Sequence, residues 1–149
     1  MSNGVFRVMK PENEAVLGYL PGSQEKAGLK ARLAELRENS LEIPMIIGGK
    51  EVRSGKTGTC IIPHNHAHVL ATYHMAGEKE TRMAIQAALD AGADWARMPW
   101  HQRLAVFLRA AELIGGPWRH TLNAATMLGQ SKTVYEADAD AACELIDFW

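Results

Sequence analysis

The sequence has little of what marks a membrane, secreted or nucleic-acid-binding protein. Its 149 residues include two cysteines, Cys60 and Cys143, which lie far apart and form no CxxC pair, so a disulfide scaffold is not expected. The longest apolar run, near Met45, is far shorter than the roughly 20 residues that a membrane helix needs. A formal net charge of -1 offers no basic field to nucleic acid. We therefore expect neither a membrane span nor a nucleic-acid partner.

The first residues also lack targeting signals. They have neither the basic, apolar and small-residue order of a secretory signal nor the arginine and serine content of a mitochondrial transit peptide. Hydrophobic residues make up 47% and charged residues 22%, which is typical of a globular domain with a real core. We expect a cytoplasmic globular protein.

Three segments follow from the local pattern. Residues 1–22 contain Pro11, Gly18, Pro21 and Gly22, which break any regular period and predict an extended arm. Residues 23–77 are predicted to form one helix and several short strands. Residues 78–149 are predicted to form four helices, so the chain as a whole is expected to be of α+β type.

The middle segment begins with a capped helix and continues as short antiparallel strands. Ser23 is a suitable N-cap, and Leu29, Leu33 and Leu36 form one apolar stripe after it. The pair Gly48-Gly49 between apolar residues predicts a hairpin, because such turns need positive φ values. Further strands are predicted at residues 59–62 and 68–74.

The last segment shows helical periodicity. The helix at residues 78–97 is followed by a second after Pro99, a third that begins at Pro117 and stops near Gly129, and a fourth that begins with the capping box of Thr133 and Glu136. No glycine, proline or basic turn stops the fourth helix, so the chain is expected to end inside it. The predicted inward positions are Ile85, Leu89, Gly92 and Trp95 (or Ala96); Leu104, Phe107, Leu108, Ala111 and Ile114; Leu122 and Ala125; and Val134, Ala137, Ala141, Leu145 and Phe148.

Two kinds of candidate site, a histidine metal site and a phosphate loop, each have a more ordinary structural explanation. In extended backbone His64, His66 and His68 would share one face, with Cys60 and His74 nearby, and imidazole is a common zinc ligand. Surface histidines are the more frequent explanation. The segments 54–58 and 129–133 contain phosphate-loop residues, but a hairpin loop and a turn between helices are favoured over phosphate binding.

The fourth helix carries three carboxylates at intervals of four residues: Glu136, Asp140 and Glu144. They could bind a cation or shift one another's pKa values, although a solvated helix face is the commoner explanation. Glu144 borders the apolar stripe beside Leu145 and is expected to be partly buried. A buried carboxylate is costly unless it is paired or functional.

Several longer strings resemble the 1-pyrroline-5-carboxylate dehydrogenases, a family of aldehyde dehydrogenases. They cover most of the chain: Asn-Glu-Ala-Val-Leu-Gly-Tyr at residues 13–19, Ile-Pro-Met-Ile-Ile-Gly-Gly-Lys-Glu-Val at 43–52, Pro-His-Asn-His at 63–66, Ala-Ala-Thr-Met-Leu-Gly-Gln-Ser-Lys-Thr at 124–133 and Asp-Ala-Ala-Cys-Glu-Leu-Ile-Asp-Phe at 140–148. The resemblance implies the α/β aldehyde dehydrogenase fold. This chain would be the amino-terminal α+β part of its NAD-binding domain, without the Rossmann core.

The family resemblance also implies a reaction. Such enzymes oxidise L-glutamate γ-semialdehyde to L-glutamate in proline breakdown and pass a hydride to NAD. They use a cysteine thiolate, an asparagine in the oxyanion hole and a glutamate that activates water. None of those motifs occurs in this chain, so no catalytic, cofactor-binding or metal residue is assigned. The implied parent is a homo-oligomer with a small-molecule aldehyde substrate, and this chain alone is expected to be inactive.

One family position matches this sequence. The glutamate of Ala-Glu-Leu-Ile-Asp-Phe lines the family's substrate pocket and corresponds to Glu144, although Cys143 stands here for alanine, and Asp138 and Ala139 stand for glutamate and isoleucine. Two alternatives stay open, a non-catalytic α+β interaction module and a histidine metal-binding domain. Exposed apolar faces are expected to make the isolated chain marginally stable and prone to association.

Overall fold

The computed structural model describes residues 4–8 and 10–149, and it contains five strands, six α-helices and one π-helix within them. The elements are α1 (Gln24–Glu38), β1 (Leu41–Ile43), β2 (Met45–Ile47), β3 (Lys50–Val52), β4 (Thr57–Ile62), β5 (Asn65–His74), α2 (Glu78–Arg97), α3 (Trp100–Gly115), α4 (Arg119–Gln130), α5 (Val134–Ala137), the π turn (Asp138–Cys143) and α6 (Glu144–Phe148). Among the helices so described, none is long and apolar enough to cross a bilayer.

The arm and the first helix form the main core with α4. Residues 10–20 adopt neither helix nor strand, and Ser23 then caps α1 by accepting a hydrogen bond from the Lys26 backbone N–H. The centre of this core is Tyr19, Leu29 and Ala124, one residue each from the arm, α1 and α4. The predicted leucine stripe of α1 is confirmed, since its other two members pack against the same cluster.

The strands form two small sheets. β2 and β3 pair in antiparallel fashion about Gly48 and Gly49, whose φ values of 57° and 75° confirm the predicted hairpin. β4 and β5 are also antiparallel, and β5 begins at residue 65, three residues before the predicted start. The other edge of β5 pairs with β1 in parallel. The prediction of antiparallel strands throughout is therefore wrong for β1, because its partner lies about 30 residues away and no local turn decides their direction.

The loop at residues 54–58 has a different place from the one predicted. Residues 54–56 join β3 of one sheet to β4 of the other, and residues 57 and 58 already belong to β4, so the segment is not a hairpin loop. Ser54 holds it to the end of β5, because its hydroxyl donates to the Met75 carbonyl oxygen at 2.8 Å. A strand follows this loop, so its backbone N–H groups do not form a helix N-terminus for phosphate.

Helices α2 and α3 have the predicted bounds but leave most of their apolar stripes uncovered. In α2, Ile85 and Leu89 are 56% and 68% exposed. In α3, Phe107 and Leu108 are exposed while Ile114, at the end of the same stripe, is buried. Contiguous apolar faces of this kind are normally covered by another surface.

The last predicted helix is interrupted. The capping box of Thr133 and Glu136 is confirmed, but after one α-helical turn the backbone widens into the π turn and then returns to α geometry in α6. The predicted stripe does not survive this change of period, since Ala137 is buried while Phe148 is 83% exposed. Glu144 is exposed and not partly buried as expected, because the widened turn changes its direction.

Candidate functional site at the π turn and the buried Arg119–Asp138 pair

The carboxylate of Asp138 lies at the centre of a buried polar network. Its side chain is 0% exposed, so its charge needs compensation from the protein. Five hydrogen bonds supply it, from the Leu17 backbone N–H at 2.8 Å, the Tyr19 hydroxyl at 2.8 Å, the Arg119 Nε and Nη2 at 2.9 Å each and the Asn123 Nδ2 at 2.6 Å. Both carboxylate oxygens are thereby satisfied, and the first residue of the π turn is attached to the arm and to α4.

Arg119 extends the network to the other end of the π turn. This side chain is 4% exposed and also donates to Glu14 Oε1 at 2.6 Å and to the Ala15 carbonyl oxygen at 2.6 Å. Its Nη2 lies 3.3 Å from the sulfur of Cys143, the last residue of the π turn. One guanidinium therefore contacts the arm and both ends of the turn, which suits its planar arrangement of five donors.

The ionisation of Asp138 reflects these contacts. Burial opposes its charge and raises its pKa, but the hydrogen bonds from Arg119, Leu17, Asn123 and Tyr19 outweigh burial and lower the pKa from 3.8 to about 2. Asp138 is thus an anion at every ordinary pH. Hydrogen bonding to that anion raises the pKa of the Arg119 guanidinium, which stays positively charged.

The neighbouring acids are held in their neutral forms. Burial, followed by the hydrogen bond to Asp138, raises the pKa of Tyr19 from 10.0 to about 12. Burial likewise raises the pKa of the Cys143 thiol. A thiol that is buried and protonated is a poor nucleophile.

The network also explains the backbone of the arm and the orientation of α4. Tyr19 has a φ of 45°, a left-handed conformation that costs an L residue about 1 kcal/mol and that its buried hydroxyl contacts maintain. Arg119 and Asn123 are four residues apart and share the inward face of α4. The predicted inward residue Ala125 is instead exposed, so the sequence-based choice of face was wrong.

Glu144 begins α6 directly after the π turn. Its backbone N–H donates to the carbonyl oxygen of Ala139, five residues earlier, which is the hydrogen bond of π geometry. The side chain is exposed and makes no hydrogen bond or ion pair with residues 4–8 or 10–149. Glu144 therefore presents an unpaired carboxylate directly after a turn whose two ends contact Arg119.

The other predicted carboxylates do not join Glu144. Glu136 accepts from both the backbone N–H and the hydroxyl of Thr133 in the capping box, and Asp140 pairs with Lys132. The π turn also breaks the interval of four residues that would have stacked Asp140 under Glu144. Within the part of the chain that the structure describes, no group of three histidine, cysteine, aspartate or glutamate side chains could hold a metal ion.

The histidines are dispersed by the same structure. His64 lies in the turn before β5, so it does not share a strand face with His66 and His68 as predicted. Its Nδ1 is 2.7 Å from the hydroxyl of Ser131, and the Nε2 of His74 is 2.7 Å from Glu42. These contacts are polar links between elements and form no ligand cluster.

No dinucleotide site is formed by the described residues. Such a site needs a glycine-rich turn from a strand into the free N-terminus of a helix. The strand-to-helix connection here, from β5 to α2, has one glycine, Gly77, and the Glu80 carboxylate already accepts its N–H at 2.9 Å. That negative charge at the helix start disfavours a phosphate, so these residues do not fit NAD.

The sequence patterns did not predict the buried polar network of Tyr19, Arg119, Asn123 and Asp138. The available signal was the four-residue interval between Arg119 and Asn123, which places two polar side chains on one side of α4. Nothing local indicated that this side faces the core, because the compensating charge and hydroxyl come from distant segments of the chain.

Comparison with known proteins first defines the class. The family model of the aldehyde dehydrogenase family matches residues 51–149, which is about two thirds of the chain. The chain therefore belongs to the aldehyde dehydrogenase family.

Particular relatives narrow the comparison. Over 97% of the chain it is 45% identical to a Δ1-pyrroline-5-carboxylate dehydrogenase from Agaricus bisporus, of which it covers 27%. Over 95% of the chain it is 39% identical to the mitochondrial enzyme of that name from Homo sapiens, of which it covers 25%. The crystal structure of the Mycobacterium tuberculosis Δ-pyrroline-5-carboxylate dehydrogenase bound with NAD superposes with a TM-score of 0.96 at 45% identity, with 99% of this chain and 28% of that one covered. The chain thus spans about a quarter of the length of these relatives.

Proposed function

We propose that this chain serves as the amino-terminal part of an NAD-dependent dehydrogenase that oxidises L-glutamate γ-semialdehyde to L-glutamate, and that the segment alone is inactive. The observation that supports the proposal is the match of nearly the whole chain to the NAD-bound Mycobacterium tuberculosis enzyme, at 45% identity and a TM-score of 0.96. In the proposed parent, residues 1–149 precede the Rossmann core. The cytoplasmic location stays a prediction, since the human relative is named as mitochondrial. The homo-oligomeric state of the parent also stays a prediction.

A role for the chain follows from its surfaces. The apolar faces of α2 and α3, including Ile85 and Leu89, are uncovered and would pack against the remainder of the dehydrogenase. The arm, α4 and the π turn are instead held together within the chain. The segment would therefore form a rigid part of the substrate pocket and hold Glu144 near the substrate.

Glu144 is the proposed contact with substrate. L-glutamate γ-semialdehyde carries an α-ammonium group, and an unpaired carboxylate complements a cation. Glu144 is exposed and without a partner among the described residues, so its charge is available for such a contact. Its role would be to orient the substrate and not to transfer a proton or a hydride.

A chimera tests the family function. The matching segment of the Mycobacterium tuberculosis enzyme is replaced by this chain, and NADH formation is followed with 1-pyrroline-5-carboxylate as the substrate. We expect the chimera to be active and the 149-residue chain by itself to be inactive. A folded chimera of native oligomeric state that forms no NADH would contradict the proposal, and activity of the short chain would contradict its inactive part.

A charge-removing variant in the same chimera tests the role of Glu144. We expect Glu144→Gln to raise KM roughly tenfold, equivalent to about 1.4 kcal/mol of binding, and to change kcat less than about twofold. The matched control is Glu112→Gln, which removes another exposed carboxylate on α3, and it should leave KM unchanged. Equal KM values for the two variants would show that Glu144 does not contact the substrate.

A further inference from the structure

The spacing of buried residues before Glu144 departs from that of an α-helix. Two adjacent residues are buried where α5 meets the π turn, and the next buried pair follows five positions later. In an α-helix the same face returns after 3.6 residues on average, so an interval of five indicates one extra residue in the turn. The two buried pairs are Ala137 and Asp138, then Ala142 and Cys143.

The extra residue decides where Glu144 points. Each residue of an α-helix turns the chain by about 100°, so a continuous helix from Asp138 would place residue 144 about 100° from its present direction. At the Cβ atom this rotation amounts to a displacement of roughly 5 Å. The direction of Glu144 therefore depends on the π turn being maintained.

Arg119 is placed to maintain it. Its Nε and Nη2 contact Asp138 at the start of the turn, and Nη2 also contacts Cys143 at the end, directly before Glu144. A π turn within an α-helix is rare and frequently lies at a functional site, so it needs contacts that maintain it. The buried charge pair supplies those contacts.

We propose that Arg119 and Asp138 are positioning residues, which hold the π turn and thereby set the direction of the Glu144 side chain. This inference rests on the proposed pocket role of Glu144 for its catalytic meaning but not for its geometry. Loss of the Asp138 charge removes the attraction to Arg119, and the segment then relaxes to α geometry. The Glu144 carboxylate is carried away from the substrate in consequence.

Crystal structures of the chimera with and without Asp138→Asn test the geometric part. We expect the Glu144 Cβ in the variant to shift by roughly 5 Å relative to α4. An unmoved Glu144 overturns the inference, whatever Glu144 does in catalysis.

Deletion of Ala141 provides a second variant that does not depend on the buried charge. Removing one residue from a five-residue turn converts it to α geometry while keeping residue 144 in phase with Asp138. We expect the deletion to leave the Glu144 Cβ within about 2 Å of its place and KM within about twofold. A shift of roughly 5 Å in the deletion variant would also overturn the inference.

The kinetic part is a double-mutant cycle between Asp138→Asn and Glu144→Gln. We expect Asp138→Asn to raise KM roughly tenfold in the parent chimera and to have no further effect on KM in the Glu144→Gln background, while it lowers Tm in both. The same rise of KM in both backgrounds would show that Asp138 does not act through Glu144. If Glu144→Gln alone leaves KM unchanged, the pocket role fails, and the crystal structures still decide whether the π turn positions Glu144.

Discussion

Two regions of this chain have similar apolar periodicity but very different packing. In the anchored region, made of the arm, α1, α4 and the π turn, a core forms around Tyr19, Leu29 and Ala124, and the charges of Arg119 and Asp138 are buried as a compensated pair. In the open region, made of the two sheets, α2 and α3, Leu89 and Phe107 stay exposed. A sequence pattern thus indicates which face of a helix is apolar, but burial depends on whether the covering surface belongs to the same chain.

The difference predicts uneven stability along the chain. Regions with few buried apolar contacts open at lower free-energy cost than well-packed ones. Substitutions in the anchored region should therefore change the free energy of unfolding strongly. Substitutions in the open region should chiefly change self-association.

The largest effect is expected from Arg119→Met. This change leaves Asp138 as an uncompensated buried charge, so the free energy of unfolding should fall by about 3–5 kcal/mol, as measured by urea denaturation. The control is Arg82→Met in the open region, where the pair with Glu78 has side chains 76% and 78% exposed. Its removal should cost less than about 0.5 kcal/mol, and similar losses for the two variants would erase the contrast between the regions.

The next effect concerns pH. The pKa of Asp138 is lowered from 3.8 to about 2, so its contribution to stability is complete above about pH 4 and is lost as the pH falls through 2. The pKa of Tyr19 is raised from 10.0 to about 12, so its contribution is complete below pH 10 and is lost as the pH rises through 12. Each loss should be roughly 2 kcal/mol, measured by urea denaturation between pH 4 and 2 for Asp138 and between pH 10 and 12 for Tyr19.

Tyr19→Phe separates the two limbs of this pH profile. The variant has no phenol to titrate, so its stability should no longer carry the Tyr19 contribution to the decline between pH 10 and 12, while the acid limb from Asp138 stays. An unchanged alkaline limb would show that another group causes it.

A smaller effect is expected from adding one methyl group in each region. A Cβ at Gly28 would lie 2.7 Å from the His120 ring, which is packed between α1 and α4, and Gly28→Ala should cost about 1–2 kcal/mol. A Cβ at Gly58 would lie 2.5 Å from the end of the Tyr73 ring, which can swing into solvent. Gly58→Ala should therefore lower the free energy of unfolding by less than about 1 kcal/mol, as measured by thermal denaturation. A larger loss of stability for Gly58→Ala than for Gly28→Ala would show that the more rigid packing lies in the open region.

The smallest effect on stability is expected from Leu89→Lys. This side chain is 68% exposed, so the free energy of unfolding should change by less than about 0.5 kcal/mol. Self-association, measured by sedimentation velocity, should decrease because the apolar face is interrupted. The control Gln86→Lys adds the same charge but retains Leu89 and should leave association unchanged. If the unsubstituted 149-residue chain is monomeric at high concentration, the prediction that this face promotes association is wrong.

Local features were predictable from the sequence because their causes are local. The hairpin at Gly48 and Gly49 follows from the φ values that two glycines accept. The start of α1 at Ser23 and of α5 at Thr133 follows from side chains that cap nearby N–H groups. The family was also recognisable, since long strings of the chain carry the resemblance.

Features that join distant segments were not predictable in this way. The parallel pairing of β1 with β5 and the inward face of α4 depend on partners that no local pattern identifies. The expected partial burial of Glu144 was wrong because that expectation assumed a continuous α-helix.

The sequence by itself determined the family, most element bounds and the apolar stripes of α1, α2 and α3, since residue periodicity and capping act over a few neighbours. Tertiary structure alone decided that Asp138 is buried, that Arg119 contacts both ends of the π turn and that Glu144 is exposed. The physical reason is that a buried charge is stable only where several segments bring donors to it. Here the arm supplies donors from more than 100 residues away, and α4 supplies them from 19 and 15 residues away.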